Sequence, residues 1–506
     1  MTDLEPILSN EQSCWRLSRC DDARLLVDAK DYYAAFYRAA LSAERRIQLA
    51  GWQFDSSVEI LRGDEARAAE HPTRLLPFLE ALCRRRPELE IFILAWDFNP
   101  VFALEREWLQ AAVFGLGPAN LHFQFDDRHA LGASHHQKIA VIDDRLAFSG
   151  GIDLAASRWD DRDHRLDNPL RVTKGTPQKP YHDTMIALTG PVVCDLEALF
   201  IGRWEAATGQ RLAPLCSNGR GEPIELAGAV PIAAKVAGIC RTERSGERLV
   251  TEILTLYERA IAAAEHSIYI ETQYFTARTV RDALIRRMTS EGRPPLDVAI
   301  VMPLGADTEK ERVVLGAAQE RLLASLTETA ARHGCRVRAY CSAAAGSEGA
   351  PIPTFIHSKV LIVDDRLLAV GSANLTNRSL LLDTELTVAF EETNPEGALA
   401  QSIATVRANL LSEHAGVSLE RDLVRGPGLI AHLDELAAPG RSRLFLRPID
   451  QQLASSKPLL RLEYLFDPDK PLSEIELDEL VAPASRDSAP ASSPEAAAAN
   501  PAEETG

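Results

Sequence analysis

Short unbroken apolar runs alternate with longer amphipathic ones along most of this chain. Ile139–Ile142 and Val360–Val363 contain no polar position, which is the mark of strands buried on both faces. Tyr32 to Arg46 and Leu249 to His266 instead place apolar residues at i, i+3 and i+4, which predicts helices. Further strand-like runs lie at Leu89 to Trp96 and Leu296 to Met302. Strands of this kind alternating with helices predict α/β layers.

The pattern occurs twice. His136-Gln137-Lys138 followed by Ile139 to Ile142 and Asp143 returns as His357-Ser358-Lys359 followed by Val360 to Val363 and Asp364, with an offset of 357 − 136 = 221. The same offset links Gly150 with Gly371 and Ile47-Gln48-Leu49-Ala50 with Ile268-Tyr269-Ile270-Glu271. Both halves run helix, strand, helix, strand, strand, turn, so the chain is an internal duplication. The expected fold is α/β, two similar α/β sandwich lobes about a pseudo-twofold axis with the active site at their interface. The expected division is a first lobe 1–215, a linker 216–247 around the turn-rich Ser217 to Pro223, and a second lobe 248–425. A C-terminal extension 426–482 follows, with apolar pieces at Leu444 to Leu446 and Leu462 to Phe466. The tail 483–506 is rich in Ala, Pro, Ser and Glu and is expected to be disordered, because it cannot bury enough apolar surface to order itself.

Composition narrows the class. The 506 residues are 46 % apolar and 25 % charged, which excludes wholesale disorder, collagen and disulfide-knot proteins. Lys and Arg number 55 against 73 Asp and Glu, a net charge of −18. That balance argues against neutralising nucleic-acid phosphates, so no nucleic-acid partner is expected. Met1 to Pro6 has no signal-peptide character. The most apolar long stretch, Leu226 to Cys240, is broken by Pro231 and Lys235, so no transmembrane segment is expected. The eight cysteines form no CxxC pair. They are expected to be reduced thiols of a cytoplasmic protein, with no zinc site.

In an extended segment, positions i and i+2 point to one side, so His136 projects with Lys138 and His357 with Lys359. A pseudo-twofold pairing brings both imidazoles and both ammoniums into one cleft. Such a set suits a phosphodiester: one imidazole attacks phosphorus, the other protonates the leaving oxygen, and the lysines hold the phosphoryl oxygens. A lone His or Lys on a strand is commonly structural, and it is the doubled pattern that raises these four. His135 has no counterpart and reads as structural. Asp143 and Asp364 serve equally as turn formers or in the chemistry. Gly150-Gly151-Ile152-Asp153 and Gly371-Ser372-Ala373-Asn374 follow at the same offset. Glycine there permits close backbone approach to a phosphate, and the Asn374 amide can donate to one, whereas an ionised Asp153 cannot.

The twin HxKxxxxD motifs with their GG/GS elements resemble the phospholipase D superfamily. Several further runs resemble its phospholipase D branch: Ser134 to Lys138, Gly150 to Asp153, His182-Asp183-Thr184, Ile268 to Phe275, Asn377-Arg378-Ser379 and Asp383-Thr384-Glu385. The resemblance covers roughly residues 25 to 415 and implies a phosphohistidine intermediate, with no cofactor and no metal in the catalytic step. It implies His136 as nucleophile and His357 as general acid, with Lys138, Lys359 and Asn374 on the phosphoryl oxygens. Asp183 and Glu385 are the matching acidic residues that orient the histidines. The implied activity is hydrolysis of a phospholipid to phosphatidic acid and head-group alcohol at a membrane surface, with water or an alcohol as acceptor. The implied location is the cytoplasm or the membrane periphery. A cardiolipin synthase-like transferase, a nuclease or other phosphodiesterase, and a non-catalytic scaffold remain alternatives. Phe98 to Phe102, Trp159 and Arg84 to Arg86 are candidate membrane contacts, for which the reading as ordinary core, loop or helix-end residues is preferred.

Overall fold

The computed structural model describes residues 5–97, 107, 110–215, 226–246, 248–305, 309–346, 351–456 and 466–471. Phe98 to Phe102, the Ser217 to Pro223 turn and the tail 483–506 lie outside the described residues.

Two sheets carry the architecture, one built largely from each half. The first has eight strands, in the spatial order Val230–Ile232, Asp22–Val27, Thr184–Thr189, Leu146–Gly150, Ile139–Ile142, Arg46–Gly51, Glu90–Trp96 and Leu121–Asp126. The second repeats seven of these positions: Val236–Ser245, Glu385–Glu391, Leu367–Gly371, Val360–Val363, Ser267–Glu271, Asp297–Val301 and Arg336–Ser342. Arg16–Arg19 and Leu444–Leu446 extend its two edges. In both sheets the strand after the HxK run lies antiparallel to its inner neighbour, and the next two pairings are parallel. Ile139–Ile142 and Val360–Val363 are strands with every residue buried, as their apolar runs predict.

One core lies between the sheets. Val141, Ala147 and Ile186 of the first sheet belong to a single buried cluster with Ile362, Val370 and Leu386 of the second. Two further cores fill the outer face of each sheet under its helices. The halves are therefore layered back to back, and inter-sheet burial removes apolar area from water on both inner faces.

Both predicted helices end before their patterns do: the first is displaced four residues toward the N-terminus and the second is shorter at both ends. The first spans Asp28–Ser42 and buries Ala29, Tyr32, Tyr33, Phe36, Tyr37 and Ala40. It stops short of Arg46 because the backbone N–H groups of Glu44, Arg45 and Arg46 turn to the Asp143 carboxylate, at 3.0, 2.8 and 2.9 Å. Its counterpart spans Glu252–Ala263 and ends in the same way, with Glu265, His266 and Ser267 donating to Asp364 at 2.7, 2.9 and 2.8 Å.

The stretch read as a linker carries two strands, Val230–Ile232 in the first sheet and Val236–Ser245 in the second. Residues 16–19 cross to the second sheet, and Glu391 of that sheet accepts the backbone N–H groups of Ile7 and Leu8. Six described cysteines are free, but Cys194 is disulfide-bonded, so not all eight are the reduced thiols expected. Spacing could not show this, because the fold and not the interval along the chain decides which thiols meet. No described helix is long and apolar enough to cross a membrane.

Candidate active site

Each HxK run is stitched by its backbone to the opposite half. The His136 N–H donates to the Thr384 carbonyl at 2.8 Å, and the Thr384 N–H donates back to Ser134 at 2.8 Å. Reciprocally, Tyr181–His182 runs parallel to Phe355–Ile356, and the His357 N–H donates to the His182 carbonyl at 2.8 Å. The residue after each partner is acidic, so this register delivers a carboxyl to each imidazole. Glu385 Oε2 lies 3.0 Å from His136 Nδ1, and Asp183 Oδ2 lies 2.6 Å from His357 Nδ1. Each histidine is thus held by the acid of the other half.

The two imidazoles differ in one contact. His136 Nδ1 also lies 3.1 Å from the Ser372 carbonyl. A carbonyl only accepts, so Nδ1 carries the proton and Nε2 keeps its lone pair. No described carbonyl contact of this kind is made by His357, whose Nδ1 faces Asp183.

Lys138 and Lys359 each donate to the carbonyl of their own histidine residue. Lys138 also pairs with Asp153 at 3.2 Å, while Asp153 accepts the Trp52 N–H at 2.9 Å. Both lysines are buried and sit one layer behind the cleft surface. Burial, reinforced by these ammoniums, holds His136 and His357 well below the ordinary imidazole range. Burial also brings Lys359 down to about 7 and lowers Lys138. It raises Asp183 to about 6, and with Asp383 it raises Glu385 to about 8.

A cavity of about 510 Å³ opens over this arrangement. Both histidines line it with Asp153, Asn374 and Glu385. The Oδ1 atom of Asn374 is buried without a hydrogen-bond partner. The catalytic reading of Asp143 and Asp364 needs correction. Neither lines the cavity, since each carboxylate is taken up by three backbone N–H groups at the far end of the HxK strand. Both sit at positive φ, 52° and 49°, as turn residues that fix where the central strand begins. The glycines also act differently from the phosphate-approach expectation. A Cβ at Gly150 or Gly371 would overlap the carbonyl of Thr184 or Leu386 in the neighbouring strand, and one at Gly151 would overlap the Asp183 carboxylate. Ser372 replaces Gly151 in the second half and donates its hydroxyl to Glu385.

His135 is structural, buried 3.2 Å from Asp126. Trp159 is 3 % exposed beneath the Arg62 guanidinium, which removes it as a membrane contact. Arg84 and Arg86 finish a helix, pairing with Glu80 and the Leu41 carbonyl.

Sequence reasoning gave several lining residues no role in the site. Trp52, Gln53, Gln273 and Tyr274 follow the two repeated strands at the common offset, so the repeat carried that signal. Arg158, whose Nε is buried without a partner, comes from a segment that is not repeated, and nothing marked it. Phe466 and Asp467 reach the rim from the C-terminal extension, where Asp467 accepts from Thr276 at 2.6 Å and Asn377 at 2.7 Å.

Two family models fall on the two halves. One described as a phospholipase D matches residues 122–220, and one described as a cardiolipin synthase, PLD-like domain matches residues 257–406. The chain belongs to the phospholipase D superfamily. Phospholipase D A of Dictyostelium discoideum is 24 % identical over 72 % of this chain and 32 % of its own length. Cardiolipin synthase A of Pseudomonas putida is 30 % identical over 53 % of this chain and 46 % of its own. The chain therefore spans less than half the length of these curated relatives. The solved phosphatidylserine synthase of Haemophilus influenzae superposes with a TM-score of 0.52 at 14 % identity, covering 79 % of this chain and 88 % of that one. It shows the α/β superfamily fold.

Proposed function

We propose that this superfamily member is a phospholipase D-type phosphodiesterase that cleaves the head-group ester of a glycerophospholipid. The observation that carries the reading is the cross-held histidine pair, one imidazole from each half, over a cavity backed by two buried ammoniums. Likeness to phospholipase D relatives over most of the chain supports the lipid substrate.

His136 is the nucleophile. Its Nδ1–H is fixed on the Ser372 carbonyl and Glu385, so the Nε2 lone pair attacks phosphorus. The bond from phosphorus to the head-group oxygen breaks, and that oxygen takes a proton from His357 Nε2. Neutral His357 then accepts a proton from water or an alcohol. The new oxygen attacks phosphorus, the P–N bond breaks, and His136 is restored with phosphatidic acid or a phosphatidyl-alcohol as product. Burial by itself disfavours imidazolium. A bound phosphodiester anion adds the negative charge that lets His357 hold its proton. Arg158 and Asn374 offer direct donors to the phosphoryl oxygens, while Lys138 and Lys359 supply positive charge from one layer behind. Asp183 and Glu385 orient the imidazoles.

Mixed phospholipid vesicles with a small primary alcohol test the reading. Phosphatidyl-alcohol in the mass spectrum, lost in His136→Asn, is expected. Turnover of single-stranded DNA with no lipid product would overturn it. The runner-up is phosphatidyl transfer to another lipid, supported by the match of the second half to a cardiolipin synthase domain.

A further inference from the structure

Beneath the catalytic pair lies a second, fully enclosed cluster. Asp28 at the start of the first helix, His164 from a first-half loop, His182 at the end of the strand Tyr181–His182, and Glu413 on the second-half helix Ala398–Ala415 bring ligand atoms from four side chains together. His182 Nδ1 lies 2.6 Å from Glu413 Oε1 and 3.3 Å from Asp28 Oδ1. His164 Nε2 lies 3.1 Å from Glu413 Oε1 and 3.5 Å from Asp28 Oδ2. Four ligands held about 2.0–2.1 Å from one ion at tetrahedral angles stand about 3.3 Å apart, so the observed spacing brackets a tetrahedral shell.

We propose that Asp28, His164, His182 and Glu413 form a closed structural site for one divalent transition-metal ion, Zn²⁺ in the first instance, that pins the two halves together. Four further observations point to an ion. Each histidine uses its other ring nitrogen on a separate carboxylate, His164 Nδ1 on Asp160 at 3.0 Å and His182 Nε2 on Glu271 at 3.0 Å. That is the outer-shell arrangement that orients metal-bound imidazoles. The outer carboxylates are themselves held, Asp160 by Arg171 at 2.7 Å and Glu271 by Ser358, Tyr269 and His414. The Asp28 side chain is fully buried, and its Oδ2 accepts no hydrogen bond. Two neutral imidazoles, two carboxylates and a dication sum to zero charge, which suits a site whose side chains are at most 2 % exposed. Nitrogen and carboxylate donors in this number favour Zn²⁺ over Ca²⁺ or Mg²⁺, which take more oxygen ligands.

None of the four residues lines the catalytic cavity, and the ion has no part in the proposed chemical steps. It sits one residue from the acid that holds His357, since His182 precedes Asp183, and the Asp183 N–H also donates to Asp28 Oδ1 at 3.2 Å. Its role is to fix that dipeptide against the second-half helix.

The full chain, exposed to Zn²⁺ and desalted, is expected to retain one zinc per molecule by elemental analysis. Loading should release protons as it replaces those on the two imidazoles, and chelation should lower the thermal midpoint. His164→Gln and Glu413→Gln should each lose the bound zinc. Zinc far below stoichiometric in the wild type, or equal retention in both variants, would overturn the site. If the variants do not fold, the anomalous scattering map of zinc-loaded wild-type crystals decides. A peak between the four named side chains supports the proposal, and a peak elsewhere refutes it.

Discussion

The two HxK strands share backbone, register and cross-half acids, yet the groups around them differ. In the first half Lys138 is paired with Asp153, and Glu385, raised to about 8, faces His136, the proposed nucleophile, with help from Ser372. In the second half the position of Asp153 is Asn374, Lys359 has no carboxylate within an ion-pair distance among the described contacts, and Asp183, raised to about 6, faces the proposed acid. The duplication supplied a symmetric frame. Substitutions at a few offsets then gave one half a neutralised lysine and a lone-pair imidazole, and left the other half with the cation field that favours an incoming anion.

The largest effect should come from removing either imidazole. His136→Asn and His357→Asn are each expected to lower kcat by about 10⁴-fold or more with an unchanged thermal midpoint. Wild-type turnover in either would break the pairing of roles.

Next comes the inequality of the acids. Asp183→Asn is expected to cost about 10²-fold in kcat, because it leaves His357 without its acceptor, and Glu385→Gln about tenfold, because the Ser372 carbonyl still fixes the His136 tautomer. Equal losses would show that the carbonyl contact does not matter.

Exchanging the asymmetry is the third test. Asn374→Asp adds a carboxylate where the phosphate anion is to sit, and is expected to raise KM about tenfold with a smaller change in kcat. Asp153→Asn frees Lys138 and should move KM less.

The pH profile follows in size. Asp183 at about 6 loses its charge as pH falls through that value, and Lys359 at about 7 loses its proton as pH rises through that value. kcat/KM should therefore peak between about 6 and 7 and fall on both sides. Lys359→Arg, which stays charged, should move the alkaline limb upward.

The smallest effect on chemistry, though not on stability, belongs to Asp143→Ala. It strands three backbone N–H groups and is expected to cost about 2–4 kcal/mol in unfolding free energy, with kcat of the folded enzyme nearly unchanged.

The central strands, the duplication and both histidine–lysine pairs were legible because buried strands need unbroken apolar runs and the repeat fixes their register. What escaped has physical reasons. Asp143 and Asp364 recur with the motif, but recurrence marks any shared need, and here the need is to hold the start of a strand. The partner of each imidazole lies in the other half, so no spacing along the chain could say which acid serves which histidine. Arg158 and Phe466 come from segments that are not repeated, and their place in the cleft is set by tertiary packing alone. Leu226 to Cys240 read as an apolar stretch next to a linker and proved to hold an edge strand of one sheet and an inner strand of the other.

The most direct test of the account is to trap the covalent intermediate. His357→Asn, incubated with a phosphatidyl ester of a good leaving group such as p-nitrophenol, is quenched and digested, and the peptides are read by mass spectrometry. The account predicts a phosphatidyl adduct on His136 in that variant and none on His357 in His136→Asn. An adduct on His357 in the His136→Asn protein would contradict it.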